Sequence, residues 1–289
     1  MTSGEQFYMQ PVFSVAMAVT FMVAIPWVQG RRLARWQLAN RTAEGEDRQQ
    51  ARGIGLFLLR PEEGKTFHLF DLVGVLMVLL VFSSSLWFPV KEVVTPKVME
   101  LSDYQVNAAF QAFLAIMVIA RLSVAPQGMK NALGLRPDNW VNLMWMPLVV
   151  ILATWTVGLV LHFSGWSQWV ESEVGGDMQA VVKQMTQVSS SEVKWWLIFS
   201  AIIVAPVCEE LVFRGFIFGV LRDLVNPSFA IVLSGVFFGL VHSNLLSLPS
   251  LCFLGSLLAL LYHLTRSIWA PILCHFLFNL STVLIQHSQ

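Results

Sequence analysis

Long apolar runs recur along the chain with short polar breaks between them: Val12–Val28, Leu69–Phe88, Val106–Ala120, Leu143–Phe163, Trp195–Phe213, Ser228–His242, Leu248–Leu264 and Ile268–Ile285. Each reaches, or nearly reaches, the length at which a helix crosses ~30 Å of hydrocarbon. The pattern predicts an all-α, polytopic membrane bundle of about eight transmembrane helices. The third and sixth runs are short, so either they tilt little, or a boundary lies further out, or the bilayer is thinned around them. Val12–Val28 has no basic segment before it and no small-residue cleavage site after it, and Arg31 and Arg32 follow. It reads as a retained first span with its N-terminus outside.

The polar breaks set the orientation. Between the first two runs lies a loop, 31–65, carrying Arg31, Arg32, Arg35, Arg41, Arg48, Arg52, Arg60 and Lys65. Basic loops stay on the cytoplasmic side. Alternating the remaining loops from there puts fourteen of the eighteen Lys and Arg inside, the exceptions being Lys91, Lys97, Lys183 and Lys194. Both termini then face outside. The loop reads as a solvated cytoplasmic segment in preference to a lipid-binding patch. Gly134 to Trp140 reads as a turn and an interfacial aromatic leading into a span. In the 177–190 segment Met178, Val181, Val182, Met185 and Val188 recur at helical spacing, which predicts a short amphipathic helix on the membrane surface in preference to a substrate lid.

Composition agrees with a membrane protein: of 289 residues, 56% are hydrophobic and 12% charged, half the charge of an ordinary soluble chain. The net charge is zero, so nothing points to nucleic acid as a partner. The partner that composition implies is the lipid bilayer. Cys208, Cys252 and Cys274 lie in apolar runs without C-x-x-C spacing, so they read as small buried hydrophobes. An apolar helix is a poor setting for the thiolate that a Cys208 nucleophile would need. The chain shows no repeat, low-complexity tract or soluble domain. After about Ser190 almost every intramembrane polar group appears, which divides it into N-terminal transmembrane helices with the basic loop (1–190) and a membrane core (191–289).

Chemistry concentrates in that second part. Glu209, Glu210 and Arg214 end an apolar run. A charge at the centre of a spanning helix costs roughly 2.5–3.5 kcal/mol on insertion scales, so ionisable residues there are functional candidates unless they merely mark a helix end. Residues four apart share a face, so Glu210 pairs with Arg214, while Glu209 is turned about 100° away and its carboxylate is free for chemistry. On the next run Phe238 and His242 share a face, and on the last His275 and Asn279 do. His68, His162, His263 and His287 sit at span ends or in the tail without a polar companion and read as interfacial. Gly215 with Gly219, and Gly235 with Gly239, form small-x-x-x-small pairs that let helices approach closely. Pro206 lacks an amide hydrogen and predicts a kink just before the carboxylates.

No Ser or Lys stands at helical spacing with either His242 or His275, which leaves water as the attacking group. A Glu in a partly dry pocket is a suitable general base, with His242 sharing the proton or holding the water. His275 and the Asn279 amide would donate hydrogen bonds to the oxyanion.

Glu209-Glu210-x-x-x-Arg214, Phe238-x-x-x-His242 and His275-x-x-x-Asn279, in this order on successive apolar helices, resemble the three motifs of the CAAX protease and bacteriocin-processing family, the Rce1-like glutamate proteases. The resemblance covers roughly Trp195 to Ile285. It implies an intramembrane endopeptidase in which Glu209 and His242 activate water and His275 and Asn279 form the oxyanion hole, supported by Glu210, Arg214 and Phe238. It implies no cofactor and a membrane-associated protein or peptide as substrate. Cleavage after a prenylated cysteine does not carry over, because nothing in the sequence reads a lipid. The expected location is the inner membrane of a prokaryotic cell. Three other readings use the same residues: a zinc protease with Glu209, His242 and His275 as ligands, a non-catalytic immunity or scaffold factor, and a proton-coupled transporter. A transporter would usually show paired inverted repeats, and none is seen.

Overall fold

The computed structural model describes residues 66–67, 69–82, 101–125, 127–136, 140–174, 190–242 and 244–287. Val12–Val28, the 31–65 loop, the end of the second run after Phe82 and the helix expected over Met178–Val188 lie outside them. The described residues form helices: α1 (Leu69–Phe82), α2 (Leu101–Ser123), α3 (Gly128–Ala132), α4 (Trp140–Phe163), α5 (Trp166–Val174), α6 (Ser191–Leu224), α7 (Pro227–Val241), α8 (Leu248–Thr265) and α9 (Trp269–His287). α2, α4, α6 and α8 are each long and apolar enough to cross a membrane, and α7 and α9 contain shorter apolar helices. This is a polytopic helical membrane protein.

Two helices extend well past their apolar runs. The third run extends to 23 residues in α2, because Tyr104 and Gln105 are accommodated at the helix start and Arg121 at its end. The fifth extends to a 34-residue helix, α6, which takes in 191–194 before the run and continues through Arg214 to Leu224 after it. The sixth, α7, is short as expected, with 15 residues. It starts at an Asn226 cap, whose side chain accepts the Phe229 amide at 2.8 Å, with Pro227 in the first turn; both are standard helix-start devices.

Outward faces are as apolar as the interior. Along α4, Val141, Met144, Leu148, Leu152 and Leu159 are all more than half exposed, as lipid-facing positions are.

α7 and α8 pack backbone to backbone. A Cβ on Gly235 would lie 2.5 Å from Ser256 N and 2.6 Å from Cys252 O, and one on Gly239 would lie 3.1 Å from Cys252 N. The other glycine pair works differently from expectation. Gly215 and Gly219 receive side chains, Leu133 and Phe67 respectively, in place of another helix's backbone. Gly235→Ala is expected to destabilise the protein by about 1–3 kcal/mol, because backbone on α8 cannot yield as a side chain can; thermal unfolding in detergent measures this.

Two turns are stitched together at one end. Gly134 has φ +60°, and a Cβ there would fall 1.6 Å from the Arg266 carbonyl oxygen. Around this contact Ile268 N donates to Leu133 O (2.9 Å), Trp269 Nε1 to Leu135 O (3.2 Å) and the Tyr262 hydroxyl to Ala132 O (2.7 Å). The stitching fixes where α9 starts. A buried ion pair the sequence did not reveal, Arg121 with Asp71 (2.8 Å), ties α2 to α1. Beside it, Asp223 near the end of α6 accepts the amides of Thr66 (2.8 Å) and Phe67 (3.0 Å).

Candidate active site

α6 carries both glutamates and departs from α geometry on either side of them. A π segment runs over Ser200–Val204, an α turn over Ala205–Glu210, and a second π segment over Leu211–Ile217. Such π turns inside α-helices often mark functional positions. The disturbance expected at Pro206 thus takes the form of a wider turn just ahead of it.

Glu210 and Arg214 are fully buried and paired, Nη1 to Oε1 at 3.0 Å. Arg214 also donates from Nη2 to the Gly255 carbonyl on α8 at 3.0 Å, and its guanidinium lies 4.9 Å from the Phe238 ring centroid. Glu210 Oε1 accepts a second bond, from His275 Nδ1 at 2.9 Å. The pair inferred from spacing is therefore the centre of a four-helix junction, with α7, α8 and α9 all touching it.

Glu209 faces elsewhere. It is 20% exposed, and its Oε2 lies 3.9 Å from His242 Nε2. His242 Nδ1 sits 2.7 Å from the carbonyl oxygen of Phe238. A carbonyl only accepts, so Nδ1 carries a hydrogen and the nitrogen turned to Glu209 is the other one. Phe238 lies between the two halves, with ring centroids 4.7 Å from His242, 5.7 Å from His275 and 5.1 Å from Phe213.

Not every expected neighbour meets. His275 is 4% exposed and bonded to Glu210 rather than Glu209. Asn279 is one turn further along α9 and donates from Nδ2 to the Ala201 carbonyl of the first π segment at 2.8 Å. The donor set of the zinc reading is split in the same way. Among the described residues no three His, Cys, Asp or Glu side chains are grouped to hold a metal ion. Cys208 is buried, and no hydrogen bond links it to either imidazole among the described residues. His162 is exposed beside Phe163, and His263 sets its ring against Phe218. His68 and the side chain of His287 lie outside the described residues.

One contributor was invisible in the sequence. Gly255 supplies a carbonyl to Arg214, and its missing side chain leaves room for Phe238, whose Cβ would be 2.7 Å from a Cβ there. A lone glycine in an apolar helix carries no signal of this. An apolar cavity of about 400 Å³ also lies between α4, α6 and α9, lined by Leu143, Ile202, Pro206, Val207, Trp269 and Phe276 and by none of the candidate site residues.

Two comparisons with known proteins found relatives. Over 180 residues, 62% of this chain and 69% of the other, the sequence is 28% identical to a Bacillus subtilis (strain 168) protein named "Putative membrane peptidase YdiL". No solved structure matches. Residues 191–281 match the family model described as Type II CAAX prenyl endopeptidase Rce1-like. That matched segment contains every residue of the candidate site.

Proposed function

We propose that the protein is an intramembrane endopeptidase that hydrolyses a peptide bond of a membrane-associated protein or peptide with water activated by Glu209 and His242. The observation that carries this reading is the facing of Glu209 Oε2 and His242 Nε2 at 3.9 Å. At that separation they are too far apart for a direct hydrogen bond. With His242 Nδ1 committed to the Phe238 carbonyl, a neutral imidazole and the carboxylate both present acceptors to the gap. A water held there would donate to both and keep its lone pairs for attack.

The reaction follows as general-base hydrolysis. Glu209 takes a proton as the water oxygen bonds to the scissile carbonyl carbon, and the carbonyl electron pair moves onto its oxygen. His275 and Asn279 stabilise that oxyanion. Collapse expels the amine, which leaves with the proton held by Glu209. His275 gives its Nδ1 hydrogen to Glu210, so it donates to the oxyanion from Nε2 in the form that carries both ring hydrogens. Asn279 has one amide hydrogen on Ala201 and a second for the oxyanion.

The Rce1-like match and the peptidase name of the Bacillus relative support the reaction class. The fold supports a membrane-associated substrate. The test is cleavage of membrane-spanning peptides by the purified protein in liposomes, followed by mass spectrometry with and without a chelator. Products that persist in chelator support the proposal. Products lost to chelator and restored by zinc would replace it with the metal reading, and no products at all would favour a binding protein.

His275→Ala is expected to lower kcat by about 10²-fold or more with little change in KM, because an oxyanion donor acts on the transition state. Steady-state kinetics on one defined peptide check this. A rise in KM at constant kcat would remove the assignment.

A further inference from the structure

The register of the first π segment of α6 withholds a helical donor from the Ala201 carbonyl, through Pro206. In the π segment the Ala205 amide reaches back five residues to the Ser200 carbonyl. In that register the Ala201 carbonyl would be met by the amide of residue 206, which is Pro206 and has no hydrogen. The donor comes from another helix, Asn279 Nδ2 on α9, at 2.8 Å. Inside a membrane protein an orphaned carbonyl is costly, so this bond is demanded by the backbone as well as permitted by the side chain. The two hydrogens of a carboxamide lie in one plane, so fixing one sets the direction of the other.

We propose that Pro206 is a positioning residue for the reaction. By withholding its amide hydrogen it reserves the Ala201 carbonyl for Asn279, and this aims the remaining Asn279 hydrogen. The bond between α9 and the π segment also anchors the α turn Ala205–Glu210, which carries Glu209 three residues beyond Pro206. The aiming of Asn279 rests on its reading as an oxyanion donor; the dependence of the Asn279 bond on Pro206 does not.

The experiment is a double-mutant cycle of Pro206→Ala and Asn279→Ala, read by apparent Tm in detergent and by kcat and KM on a defined peptide. Pro206→Ala returns a backbone donor to Ala201. Asn279→Ala alone is expected to lower the apparent Tm by roughly 2–4 °C, the scale of one lost hydrogen bond in a chain of this size, and by much less when residue 206 is Ala. Pro206→Ala alone is expected to lower kcat by about tenfold to a hundredfold through misplacement, with KM little changed, and to add little once Asn279 is Ala. Additive Tm shifts would overturn the coupling. Coupled Tm shifts with unchanged kcat in Pro206→Ala would overturn the positioning role. A wild-type protein without hydrolysis would refute the peptidase reading, while the Tm cycle still decides the bond. Should Pro206→Ala not fold, Pro206→Gly restores the same amide and takes its place in the cycle.

Discussion

Glu209→Gln should give a protein that folds as the parent does and has lost hydrolysis by about 10²-fold or more. The substitution keeps the shape of the side chain and removes the proton acceptor, and general-base catalysis is typically worth 10² to 10⁴-fold. Folding should be spared because Glu209 is partly exposed and faces His242 at 3.9 Å without a direct hydrogen bond, while the buried Arg214 keeps its partner Glu210. Single-turnover cleavage and detergent thermal stability, measured on one preparation, test both halves. An active Glu209→Gln protein would end the proposal.

The adjacent residue should behave in the opposite manner. Glu210→Gln leaves the fully buried Arg214 without its counter-charge and His275 without a carboxylate partner. Removing one member of a buried ion pair costs about 3–5 kcal/mol, so the amount of folded protein should fall along with activity. Spacing alone would predict that exchanging the two charges, Glu210→Arg with Arg214→Glu, recovers some of this. The structure predicts otherwise, because residue 214 must also donate to the Gly255 carbonyl and residue 210 must accept from His275. A carboxylate at 214 would face a carbonyl, and a guanidinium at 210 would face an imidazole N–H. A stable but inactive Glu210→Gln together with an unfolded Glu209→Gln would reverse the two roles.

What the sequence revealed and what it hid follow from the range of each interaction. Glu210 with Arg214, Phe238 with His242 and His275 with Asn279 are each four apart on one helix, and a four-residue spacing is readable without a fold. Contacts between helices have no such ruler. Asp71 and Arg121 are 50 positions apart, and Arg121 reads as one more loop charge in an orientation count. The Gly255 carbonyl is 41 positions from Arg214 and is a backbone atom that every residue possesses. The partner of His275 was likewise hidden: the imidazole meets Glu210, while Glu209, one position away in sequence, meets His242. Helix ends also blurred, because α6 continues through Arg214 to Leu224, past the end of its apolar run.

The burial of Glu210 and Arg214 bears on how the protein is made. A chain is synthesised from its N-terminus, so α6 reaches the bilayer before α8 and α9, which carry Gly255 and His275, have left the ribosome. At that moment the pair must be tolerated on its own, and lying four residues apart on one helix it neutralises itself without waiting for a neighbour. Gly255 and His275 then complete the junction as their helices arrive. Insertion of the helix and assembly of the site are separate events in time, and the pair that makes the first one feasible is the anchor onto which the second is built.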